Sequence, residues 1–111
     1  MYLFGGVKFL DLLVVLMLVD IVTGIFKAIK NKNLRSATAW IGYARKIAVF
    51  GIIIVASVAD RMLDLNGMVV TATVLFYIAN EALSITENAA QIGLKVPEII
   101  TDKLKNLDEK E

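Results

Sequence analysis

The sequence of 111 residues contains no cysteine and no histidine. Disulfides, thiol chemistry, the usual zinc sites and histidine-based acid–base catalysis are therefore excluded. Acidic residues are missing from the whole stretch between Ile21 and Ala59, which holds six basic ones: Lys27, Lys30, Lys32, Arg35, Arg45 and Lys46. No glycine-rich phosphate loop or metal-spaced cluster occurs, and Ser36, Ser57 and Ser84 have no base in reach by spacing. The chain is thus expected not to be an enzyme, and to need neither a cofactor nor a small-molecule substrate. Its basic residues are not gathered with stacking aromatics on a solvated face, so no nucleic-acid partner is expected.

What the chain has is apolar residues, at 58% with a mean hydropathy of +0.70. A soluble domain of this size needs a mostly polar surface. Here the apolar residues fall in long blocks, which points to lipid as the solvent. The length suits one domain, residues 1–111, with a short charged tail from about 93.

The first block covers about 9–29, broken only by Asp11, Asp20, Thr23 and Lys27. About 20 helical residues cross the roughly 30 Å hydrocarbon layer. The block is longer than the apolar core of a secretion signal and no small-residue cleavage site follows, so it reads as a retained span. A polar turn, Lys30 to Asn33, comes next.

Ser36 can cap a second helix. Its purely apolar part, Ile47 to Ala59, is too short to cross alone. The second span must therefore recruit Trp40 to Lys46 and cover about 40–60, with Trp40 and Tyr43 near the headgroups. The run Asp60 to Gly67 reads as a connection ending in an Asn-Gly turn. A third span covers about 67–85 and continues as an amphipathic helix to about 92. Asn80, Glu81, Ser84, Glu87, Asn88 and Gln91 form a polar stripe along it. Two readings of that stripe are a wet or self-associating face and a solvated one. Gly93 stops the helix, and Pro97 suits the first turn of a short last helix, about 97–108. The fold class is an all-α membrane protein with three transmembrane helices. The Lys/Arg bias places the 27–46 loop and the C-terminus in the cytoplasm and the N-terminus outside.

Ionisable groups inside a bilayer are expensive and are functional candidates by default. If the first hairpin turns at Asn33, Asp20 lies level with Lys46. If the second turns between Leu63 and Asp64, Lys46 lies level with Glu81. Asp20, Lys46 and Glu81 then share one layer, with Arg45 a residue away. Such a layer is either a buried ion-pair network, which holds the hairpins together or lines a polar oligomer interface, or, for Arg45, Lys46 and Glu81, a set of side chains that snorkel to the interface. Small residues are spaced for close helix approach at Gly24 and Ala28, at Ala44, Ala48 and Gly51, and at Gly67 and Thr71.

The run Phe76-Tyr77-Ile78-Ala79-Asn80-Glu81, with Ser84, Glu87-Asn88, Gly93 and Val96-Pro97, closely resembles the toxin-secretion and phage-lysis holin family. Asp20-Ile21-Val22-Thr23-Gly24 resembles that family's D-x-x-T-G pattern, and Ser36 and Lys46 agree with it too. The resemblance runs from about Leu12 to Leu107. It implies a homo-oligomer in the bacterial cytoplasmic membrane that opens lesions releasing an endolysin or a toxin. Asp20, Thr23, Gly24, Asn80, Glu81, Ser84, Glu87 and Asn88 are the motif residues that carry over. A small ion-channel or transporter subunit using Asp20 and Glu81, and a non-lytic antiholin-like protein, are the alternatives.

Overall fold

The computed structural model describes residues 7–30 and 36–109, with the side chains of 36–39 and 107–109 left out. Four helices follow one another: α1 (Leu10–Lys30), α2 (Ser36–Leu63), α3 (Met68–Ile92) and α4 (Glu98–Glu109). No strand occurs among the described residues. Three helical stretches, Leu10–Lys30, Trp40–Leu63 and Met68–Ile92, are long and apolar enough to cross a membrane. The expected turn at Asn33 and the Ser36 side chain lie outside what is described.

Of the consecutive long helices, α2 and α3 pair as a hairpin but α1 and α2 do not. Both α1 and α2 pack on α3, and they make little contact with each other. Partners along α1 and α3 rise together, from Asp20 with Ser84 to Lys30 with Gln91, so these two helices run parallel. Partners of α2 and α3 run oppositely, from Lys46 with Glu81 to Asp60 with Val69. At the Gly67 end, Leu13 and Met17 of α1, Ile53 and Ala56 of α2, and Val70 and Val74 of α3 form one apolar cluster. Outside it, large apolar side chains lie open: Leu18 is 59% exposed and Ile47 71%. In water such exposure would be unfavourable by about 25 cal/mol per Å²; against lipid tails it costs nothing.

The α2–α3 connection is shorter than the sequence reading. Asp60 to Leu63 are helical, and only Asp64 to Gly67 turn. The reason lies in the Asp60 side chain, which is buried although charged. Its carboxylate accepts from the N–H groups of Val69 (2.9 Å) and Val70 (2.7 Å), the free donors of the first turn of α3. A helix start with Gly67 at its N-cap has no side chain of its own for this task. The last turn of α2 therefore caps α3 from outside. The Asp60 carbonyl also accepts from Leu65 N–H, with Asp64 left-handed (φ 54), closing α2 by a Schellman-type turn. Asn66 (φ 57) and Gly67 (φ 85) then reverse the chain, with Met68 N–H donating to Leu65 O. Gly67 is thus a turn residue, not a site of close helix approach.

Asp60→Ala should lower stability in micelles by about 1.5–3 kcal/mol, the range for losing hydrogen bonds to a charged group. Denaturant unfolding followed by circular dichroism checks this, and Asp60→Asn, which keeps one acceptor, should lose less.

At the other end, Gly93 (φ 107) closes α3, with Leu94 N–H on Ala89 O and Gly93 N–H on Ala90 O. Lys30 donates to Gln91 O at 3.0 Å. A cation from the end of α1 thus meets the carbonyl-rich end of α3, where the helix dipole favours it. Beyond Gly93, α4 folds back against α3. It starts at Glu98, with Pro97 just ahead of it supplying its carbonyl to Ile100 N–H.

Candidate functional site: a polar network between the three long helices

Midway between the Gly67 cluster and the Lys30 end, α1 replaces its apolar contacts by one carboxylate. Asp20 continues the α3-facing row of Leu13 and Met17 and is 6% exposed. Each of its oxygens is used. Oδ1 accepts from Ser84 Oγ (2.7 Å) and Asn88 Nδ2 (3.0 Å), and Oδ2 accepts from Lys46 Nζ (2.7 Å). Glu81 faces the same ammonium, with both carboxylate oxygens 3.4 Å from Lys46 Nζ. Lys46 therefore ties α2 to both other helices, closely to α1 and loosely to α3.

The α3 side is set by helix geometry. Glu81, Ser84 and Asn88 recur at spacings of three and four, which places them on one face. That face turns toward α1, so this part of the polar stripe is neither solvated nor directed to a second copy. Asn88 also donates to Thr23 Oγ1 (3.0 Å), and Thr23 in turn donates back to Val19 O (2.9 Å) within α1. Gly24 sits beside them, where an added Cβ would lie 3.8 Å from Asn88 Nδ2. An alanine fits there, but a larger side chain would push α3 away.

The D-x-x-T-G residues and the E-x-x-S-x-x-x-N residues are thus two halves of one interlock. Asp20, Thr23, Gly24, Lys46, Glu81, Ser84 and Asn88 are brought together. The remaining sequence candidates are not. Arg45 and Glu87 are exposed and Asn80 is half-buried, and none of their side chains has a hydrogen-bond partner among the described residues. Arg45 lies one residue from Lys46, yet a helix turns by about 100° per residue, and that rotation carries it off the shared face. Sequence reading missed Asp60 and the Lys30–Gln91 contact. The signal for the first was a carboxylate a few residues before the Asn-Gly turn, in reach of the next helix start.

With ordinary ionisation the network holds two carboxylates and one ammonium. Neutral hydrogen bonds between helices in lipid contribute only about 0.6 kcal/mol on average. The ion pair, whose loss would leave a buried charge uncompensated, matters more: breaking such a pair costs about 3–5 kcal/mol. The arrangement therefore acts as a clasp on helix packing. Because its polar atoms meet each other, a single chain hides them from lipid without help from a neighbour.

Comparison with known proteins bears on the whole chain. The profile of a family described as the bacteriophage holin family matches residues 1–109. A protein of Bacillus phage phi105 named "Probable holin" is 61% identical over 103 residues, covering 93% of this chain and 76% of the relative. An uncharacterized Bacillus subtilis protein is 59% identical over 107 residues, covering 96% of this chain and 76% of its own. An uncharacterized Clostridium perfringens protein is 39% identical over 100 residues, covering 88% and 73%. No solved structure matches.

Proposed function

Because this chain belongs to the bacteriophage holin family, we propose that it acts as a holin in the bacterial cytoplasmic membrane. It accumulates there, self-associates, and opens lesions through which an endolysin or a toxin leaves the cytoplasm. The observation that carries this reading is the likeness to the phage phi105 protein, 61% identical over 93% of this chain. Three helices able to cross a membrane fit it. So does a charged clasp inside them, since ionisable groups at that depth are rarely retained without use. In this reading the Lys/Arg-rich 27–46 segment and the C-terminal tail face the cytoplasm and the N-terminus lies outside.

The test is controlled expression in a bacterium carrying a membrane-potential dye and a cytoplasmic cell-wall hydrolase. The expected result is abrupt loss of potential followed by release of the hydrolase and lysis. Loss of potential with the hydrolase retained would point to a selective channel. No loss of potential from cells whose membranes contain the chain would overturn the proposal.

A further inference from the structure

We propose that copies of this chain join head to tail, the exposed face of α1 docking on the exposed face of α2 of the next copy. This rests on the self-association in the reading above and adds which surfaces meet. Both helices turn one side to α3, α1 through Leu13, Met17 and Asp20, and α2 through Ile53, Ala56 and Asp60. At about 100° per residue, Val15, Leu18 and Val22 of α1 lie opposite its packed side, as do Ala44, Ala48 and Gly51 of α2. All six are exposed, and a Cβ built on Gly51 meets nothing within 4 Å. The two faces therefore point away from the chain on its two flanks.

Depth decides what each face can meet. Asp20 bonds Lys46, so these positions are level, and α1 and α2 run in opposite directions. Counting outward from that pair, Val22 is level with Ala44, Leu18 with Ala48, and Val15 with Gly51. Copies inserted the same way keep these levels. Over these three levels, large side chains on one flank thus stand opposite small ones on the other, spaced by fours and threes as in antiparallel helix packing. A like-on-like α1 contact would set large against large, and an α2 contact would waste the fit.

Charge agrees with the same pairing. Asp11 ends the α1 face and Arg61 lies about a quarter turn round α2 from its face, both exposed with no ion pair among the described residues. In this register they are six residues, about 9 Å, apart along the axis. Helical side chains lean toward their own N-terminus. In antiparallel helices that leans Asp11 toward Arg61 and Arg61 toward Asp11. A contact between two different faces of one chain has no built-in copy number and grows until its rotation closes it.

The chain has no cysteine, so introduced ones report contacts cleanly. Two differently tagged full-length copies, one L18C and one A48C, are co-expressed and treated in membranes with a short bis-maleimide. Mixed-tag dimers are expected, at least several-fold above L18C with L18C or A48C with A48C. One chain carrying both cysteines should give a ladder. Asp11→Arg or Arg61→Asp should cut the mixed product several-fold, and the two together should recover most of it. Dominant same-residue dimers would overturn the proposal. So would absence of the mixed product and ladder while an amine-reactive reagent still traps oligomers, an outcome that leaves the holin reading standing. If no reagent traps oligomers, self-association itself fails, and this proposal with it.

Discussion

Lys46→Met is expected to have one of the two largest effects of any single substitution in this chain. Asp20 and Glu81 both direct carboxylate oxygens at the Lys46 ammonium, at 2.7 and 3.4 Å. Methionine keeps the length and apolar stem of lysine but supplies no charge, so two carboxylates are left facing each other with no cation between them. Removing one partner of a buried pair costs about 3–5 kcal/mol, and here like-charge repulsion adds to the loss. The expected outcome is a chain whose α2 no longer docks, read as lost protease resistance in membranes and lost lysis. Glu81→Gln should behave oppositely. It leaves the close Lys46–Asp20 pair balanced one to one, so stability should change by less than about 1 kcal/mol. The double variant should then recover part of what Lys46→Met loses. Equal damage from Lys46→Met and Glu81→Gln, with no recovery in the double, would show that charge balance is not what the clasp provides.

Much of this was readable from residue order because lipid simplifies the problem. Span length follows from bilayer thickness and helix rise, and α1 and α3 fall within a residue of their expected starts. The level of Asp20, Lys46 and Glu81 could be estimated because antiparallel spans joined by short turns share their depth. Rotation about each axis was not readable in the same way. Depth alone put Arg45 with Lys46, and only the packed side of α2 separates them. Which helices touch was also hidden, since α1 and α2 are joined directly yet meet mainly through α3. Apolar patterning could not reveal it, because lipid-facing and partner-facing positions are equally apolar. Asp60 was hidden for a different reason. A carboxylate beside an Asn-Gly turn looks like a loop residue, and its role as a cap appears only when the next helix folds back onto it.

Asp20 carries the second large effect, and its variants divide the network into its parts. In Asp20→Leu, Lys46 keeps only the longer contact to Glu81, Ser84 loses its acceptor in a buried layer, and Asn88 loses the carboxylate while keeping Thr23 Oγ1. The expected loss is at the upper end of about 3–5 kcal/mol. It should be seen both as reduced thermal stability in micelles and as failure to collapse the membrane potential on induction. Asp20→Asn separates charge from hydrogen bonding. Its amide oxygen can still accept from Ser84 and Asn88, but its amide group then turns donors toward Lys46, which has only donors to offer. The Lys46–Glu81 balance is the same as in the leucine variant, but the acceptor for Ser84 and Asn88 is kept, so the loss should be smaller than for leucine. It should still exceed that of Thr23→Val, which removes neutral hydrogen bonds of about 0.6 kcal/mol each, and of Ser84→Ala, which removes one of two donors to Asp20 Oδ1 and leaves the ion pair with Lys46 intact. The order expected is therefore Leu worst, Asn intermediate, and the α3 serine and α1 threonine variants mild. If Asp20→Asn leaves both assembly and permeabilisation untouched, the carboxylate is not the keystone of the helix packing. The α1–α3 contact would then rest on its neutral hydrogen bonds and on its apolar half, around Leu13, Met17, Val70 and Val74.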